Sequence, residues 1–89
     1  MVERQIEVVN KLGLHARAAS KLVKLTAGFE SSIKLTGRGQ EVDAKSIMGI
    51  LMLAAPQGTS LELKVEGSDE IEAAEAVTEL FADCFGEGE

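Results

Sequence analysis

His15 and Arg17 are separated by one alanine, and they stand immediately ahead of a run that reads as an amphipathic helix. The chain contains no other histidine. Free backbone N–H groups and the positive end of the dipole at a helix N-terminus favour anions, phosphate above all. An imidazole with a reference pKa of about 6.5 is substantially neutral near pH 7 and can attack phosphorus. The helix end and the neighbouring lysines disfavour the imidazolium, which keeps the ring nucleophilic. Once a phosphoryl group is attached, its oxygens can accept from the backbone N–H groups of Ala16 and Arg17 and from the guanidinium. In-line transfer of this kind needs positioning more than acid–base work. The stabilisation must stay modest, since a group bound too well is not handed on. The arrangement suits a histidine that takes up a phosphoryl group and releases it.

The rest of the chain must hold that pair in place. Val2, Ile6 and Val8 alternate with Glu3, Gln5 and Glu7, the pattern of a half-buried strand. Asn10 to Leu14 is a loop broken by Gly13; a helix follows from Ala16 to about Ala27, with Ala18, Ala19, Leu22, Leu25 and then Phe29 at helical spacing, and Gly28 ends it. Residues 31–36 and 40–43 flank the turn Gly37-Arg38-Gly39 and form a hairpin. Ser46 caps a short helix that starts at Ile47 and is stopped by Pro56-Gln57-Gly58. Leu61, Leu63 and Val65 mark a fourth strand. Ser68 caps a last helix whose buried stripe is Ile71, Ala74, Val77, Phe81 and Cys84 or Phe85, and residues 86–89 are expected to fray. One apolar face per strand requires cover on one side only. The expectation is an α+β domain over residues 1–89, an open-faced two-layer sandwich of order βαββαβα with three helices on one face of a four-stranded antiparallel sheet.

Composition narrows the function. At 89 residues with 45% hydrophobic content and a single proline, the chain can bury a core and is not a disordered polymer. Its start lacks the basic-then-apolar order of a signal peptide, and its longest apolar run, residues 47–55, falls short of the ~20 residues that span a bilayer. Cys84 is the only cysteine, which leaves no internal disulfide, and one histidine with one cysteine makes a poor metal site. No metal and no cofactor are expected, and a cytoplasmic monomer is the plain reading. The net charge of −6 is uneven: residues 8–29 carry Lys11, Arg17, Lys21 and Lys24 and no acid, whereas no lysine or arginine follows Lys64. Nucleic acid is excluded by the lack of a basic stripe interleaved with aromatics. A basic patch around His15, with Lys21 and Lys24, would instead steer anionic groups or an acidic protein surface.

Two motifs in register then carry a resemblance. Gly13-Leu14-His15-Ala16-Arg17 and Lys45-Ser46-Ile47-Met48-Gly49 are similar, over essentially the whole chain, to the HPr family of histidine-containing phosphocarriers of the phosphoenolpyruvate-dependent phosphotransferase system. The resemblance implies phosphorylation of His15 on Nδ1 by Enzyme I and onward transfer to an enzyme IIA domain, with no independent turnover. It implies a regulatory phosphorylation at Ser46 by an HPr kinase/phosphorylase, and a docking surface of Ile47, Met48 and Leu51. The ending Leu80-Phe81-Ala82-Asp83-Cys84-Phe85 and the segment Leu51-Met52-Leu53-Ala54 lean toward the nitrogen-related branch, whereas Lys45-Ser46-Ile47 leans toward members with the kinase. Ala18 stands where most members have proline. Alanine is the best helix former, so this exchange should cost well under ~1 kcal/mol. Two other classes compete with the carrier: a regulatory protein read out through its phosphorylation state, and a small-molecule-binding domain, which would need a pocket of convergent polar groups.

Overall fold

Every second residue of strand β4 (Ser60–Glu66) is buried, with Leu61, Leu63 and Val65 at 1% exposure or less. In the computed structural model, which describes residues 1–87, this strand runs between β1 (Val2–Glu7) and β2 (Ser32–Gly37), and β3 (Gln40–Asp43) closes the far side of β2. All three pairings are antiparallel, in the order β1-β4-β2-β3. Register places Val65 between Val2 and Ile33, and Leu63 between Arg4 and Leu35. Because side chains alternate across a pleated strand, these rows give the sheet one apolar face. The β2–β3 hairpin turns through Arg38 and Gly39, with φ of 51° and 79°. Two successive positive φ values match the right-handed twist of the flanking strands.

Three helices cover that face: α1 (Ala16–Thr26), α2 (Ile47–Met52) and α3 (Glu70–Ala82). The architecture is therefore the open-faced α+β sandwich expected from the strand pattern. α3 lies along β1 and β4, and α1 touches both α2 and α3. Ala18 and Ala19 are fully buried, small enough to let the helices approach closely. Ala18 sits in the first turn of α1, where an N–H has no intrahelical partner to lose. Helix α1 ends at Thr26, two residues ahead of Gly28, and the buried Thr26 hydroxyl donates to the carbonyl of Ala44 at 2.9 Å.

The last helix differs from expectation in three ways. Its N-cap residue is Asp69, not Ser68, and no side chain caps it. The strand pairing brings the start of β2 beside Asp69, whose carboxylate accepts from the N–H groups of Glu30 and Ser31, both at 3.0 Å, and from the Ser31 hydroxyl at 2.5 Å. These donors hold it below the usual carboxylate value, the Ser31 hydroxyl contributing most. Secondly, the buried stripe is Ala73, Ala74, Val77 and Phe81, while Ile71 is 56% exposed. At roughly 100° per residue, Ile71 lies more than a quarter-turn from the centre of that stripe.

Thirdly, the end of the chain does not fray where it is described. Cys84 and Phe85 take φ of 53° and 54°, which ends the helix in a short 3-10 turn over Cys84–Gly86. That turn swings Phe85 into the core, 1% exposed, edge-on to Phe81 with ring centres 4.8 Å apart. Of the two residues offered for the end of the buried stripe, Phe85 takes the inward position and Cys84 is only half-buried. Gly88 and Glu89 lie outside the described residues.

Candidate functional site

The loop ahead of α1 is fastened before the helix begins. Asn10 is fully buried, and its amide donates to the carbonyl of Gly13 at 2.8 Å. Gly13 has φ of 69°, and a Cβ there would lie 2.5 Å from the carbonyl oxygen of Ala55. Only glycine combines that backbone conformation with so close an approach. The N–H of Leu14 then donates to the same Ala55 carbonyl at 2.9 Å, and Leu14 is buried. His15 follows as the N-cap residue of α1, with extended backbone and its N–H donating to Gly13 at 2.9 Å.

Each imidazole nitrogen has a partner. Nδ1 accepts the N–H of Arg17 at 3.3 Å, turning this nitrogen toward the N-terminal end of α1. Nε2 lies 2.5 Å from a carboxylate oxygen of Glu87. The imidazole side chain is 27% exposed and the Glu87 side chain 9%. The other oxygen of Glu87 accepts from Asn10 at 3.1 Å, so one buried amide holds both the loop and the carboxylate. Partial burial pushes the Glu87 carboxyl up; the hydrogen bonds from Asn10 and His15, with charge attraction to His15 and Lys21, outweigh it and hold the group below the usual carboxylate value.

Arg17 is exposed and lines a cleft with Lys11, Leu12, Lys21, Gly86 and Glu87. Three of those six residues are cationic, and the cleft opens beside Glu87, the residue that contacts His15. Lys21 has a structural task as well, donating to the carbonyl of Phe85 at 2.7 Å. Lys24 is exposed. Among the described residues, no group of three or more histidine, cysteine, aspartate or glutamate side chains is placed to hold a metal ion. No helix among them is long and apolar enough to cross a membrane.

Ser46 is the N-cap residue of α2, and its hydroxyl accepts the N–H of Gly49 at 3.1 Å. Ile50 and Leu53 face the core, while Ile47, Met48 and Met52 are 41%, 69% and 62% exposed. Leu51, expected to point outward with Ile47 and Met48, packs partly against the core, and Met52 takes the outward place. Leu12, 69% exposed, adds an apolar side chain to the loop ahead of His15. Glu87 and Asn10 carried no signal in the sequence. A lone glutamate in an acidic tail looks like a solubilising charge, and an asparagine ahead of a glycine looks like an ordinary turn residue.

Comparison with known proteins agrees with this fold. A family described as "PTS HPr component phosphorylation site" matches residues 2–83. The phosphocarrier protein HPr of Cupriavidus necator is 51% identical over 89 residues, covering 100% of both chains. A crystal structure of HPr from Thermoanaerobacter tengcongensis superposes with a TM-score of 0.93 at 45% identity, covering 98% of each chain. HPr from that organism has also been solved as a dimer, with a TM-score of 0.78.

Proposed function

This chain belongs to the HPr family, the phosphocarrier component of the phosphotransferase system, and on that premise we propose that His15 is its phospho-acceptor. Enzyme I supplies the phosphoryl group to Nδ1, and an enzyme IIA domain receives it. The observation that carries this reading is the pair of contacts on the ring: Nδ1 faces the N-terminal end of α1, and Nε2 is held by a carboxylate.

When Nδ1 bonds to phosphorus, its lone pair no longer accepts from Arg17. The Arg17 N–H is then released to a phosphoryl oxygen, with the N–H of Ala16 beside it, at the end of the helix that favours negative charge. The exposed Arg17 guanidinium, which lines the cleft beside Glu87, adds a charged, forked donor for a phosphoryl oxygen. Lys24 and the exposed Ile47, Met48 and Met52 offer a basic and apolar surface to an acidic partner. Phosphorylation of Ser46 by a kinase of the HPr kinase/phosphorylase class adds charge at that surface. The work is done in the cytoplasm by a protein that is itself a covalent intermediate.

Incubation with Enzyme I and phosphoenolpyruvate, followed by intact mass, tests the proposal. One phosphoryl group is expected, labile to acid, and absent from a folded His15→Ala variant. A stoichiometric, acid-stable adduct that persists in His15→Ala would falsify the assignment.

A further inference from the structure

We infer that Glu87 is a positioning residue for phosphoryl transfer, setting which imidazole nitrogen of His15 carries the proton and stabilising the charge the ring gains. The inference rests on the reading of His15 as phospho-acceptor and goes beyond it. Two independent partners specify the same tautomer. A backbone N–H can only donate, so the Arg17 contact requires a lone pair on Nδ1. An ionised carboxylate can only accept, so the Glu87 contact requires a hydrogen on Nε2. Nδ1 is left as the nucleophile.

The contact is built rather than incidental. Asn10, fully buried, donates to the second oxygen of Glu87 and fixes the carboxylate against the loop that carries His15. Phe85 anchors the segment in the core, and Lys21 fastens its carbonyl from α1. The charged side chains that line the cleft around Glu87 are Lys11, Arg17 and Lys21, all cations. They favour its ionised form.

The chemistry explains what the carboxylate contributes. In uptake, the Nδ1 lone pair forms the new N–P bond while the phosphoryl group's bond to the donor breaks, and the donor atom keeps that electron pair. The ring has given up a lone pair and retained its Nε2 proton, so it becomes cationic. Glu87 then faces the N–H of a cation, an interaction stronger in the phosphorylated ring than in the free one. In delivery, the N–P electron pair returns to Nδ1, and the ring leaves as neutral imidazole with the same Nε2 proton. Without the carboxylate, that proton is more readily lost to water after uptake. The ring must then depart with an extra negative charge, which makes it a poorer leaving group. A carboxylate on Nε2 thus assists both directions of a relay.

Glu87→Gln and Glu87→Asp, compared with the parent, test the role. Steady-state uptake from Enzyme I and delivery to an enzyme IIA domain are measured, together with 15N spectra of the His15 ring. Glu87→Gln is expected to lower kcat for both steps about ten-fold, with KM changed less than about two-fold. Its ring spectrum is expected to move from the Nε2–H form toward a mixture of tautomers. Glu87→Asp keeps the charge on a shorter arm and is expected to recover part of the rate and of the spectrum. If the parent is phosphorylated on His15 while Glu87→Gln retains both its rate and its tautomer, the role of Glu87 falls alone. If the parent takes no phosphoryl group on His15, the phosphocarrier reading falls and this role falls with it.

Discussion

The side-chain nitrogen of Lys21 donates to the carbonyl of Phe85 at 2.7 Å, joining residues 64 positions apart. Lys21 lies midway along the helix that begins after His15, so this bond brings the segment around Phe85 against α1. The described part of the C-terminal segment is therefore a wall of the site and not a loose tail. Phe85 supplies the apolar anchor, Lys21 the polar one, and Glu87 the contact with the imidazole.

Removing the anchor should release the contact. Phe85→Ala opens a cavity beside Phe81 and is expected to cost about 3 kcal/mol of stability, as large-to-small changes at fully buried aromatic positions do. The same variant should free Glu87 and slow phosphoryl transfer toward the rate of Glu87→Gln. Thermal melts and Enzyme I kinetics report the two effects separately. A destabilised Phe85→Ala that still transfers at the parental rate means that Glu87 does not depend on this anchor.

Arg17 contributes twice, through a backbone N–H that alanine and lysine both keep and through a guanidinium that lines the cleft. Arg17→Ala is expected to slow transfer about ten-fold or more, since one charge contact in a transition state is worth ~1.4 kcal/mol or above. Lysine should restore only part of that, because it keeps the charge but not the planar fork. Rapid-quench kinetics on the three proteins decide the matter, and equal rates in all of them leave the guanidinium without a role.

Ser46 and Met48 stand at the start of the same helix and should fail differently. The Ser46 hydroxyl caps α2 through the N–H of Gly49, and Asp is an equally good cap, so Ser46→Asp should hold the thermal midpoint within a few degrees. Its added charge opposes an acidic partner, so phosphorylation by Enzyme I should weaken, and more at low ionic strength. Met48→Ala, at a position 69% exposed, should weaken the same step with little salt dependence. Enzyme I titrations at two salt concentrations separate the two. If Ser46→Asp is phosphorylated as readily as the parent at low salt, Ser46 acts only as a cap.

Acid stability should depend on Asp69. Its carboxyl is depressed from an ordinary value of 3.8, by the Ser31 hydroxyl first and the Glu30 N–H next. A depressed folded value means that this group stabilises the fold above the unfolded value and loses its contribution as pH falls through the folded one. Glu70, held by the N–H of Gly67 and the N-terminal amine, and Glu87 act in the same direction from an ordinary value of 4.5. The thermal midpoint should therefore fall as pH drops below about 4.5. Asp69→Asn should lower it at pH 7 and by less at a pH below the depressed folded value. A penalty of the same size at both pH values would show that the charge on Asp69 is not what matters.

Alternation in β1 and β4, the helical recurrence of Ala18, Ala19 and Leu22, and the caps at His15 and Ser46 are all local patterns. Local patterns were enough for the element order, the one-faced sheet and the placing of His15 at a helix start. They were misleading where a distant partner intervened. Asp69 turned away from its own helix because pairing of β2 with β4 delivered three donors to it. Leu51 turned partly inward because α2 packs against α1 and β3. Asn10 and Glu87 were invisible because their meaning lies in a contact, and the two residues are 77 positions apart. Composition and periodicity along a chain decide which residues prefer burial and which elements form. Which polar groups meet across the fold, and therefore that a carboxylate faces Nε2 of His15, is decided only when the core has brought Asn10 and Glu87 together.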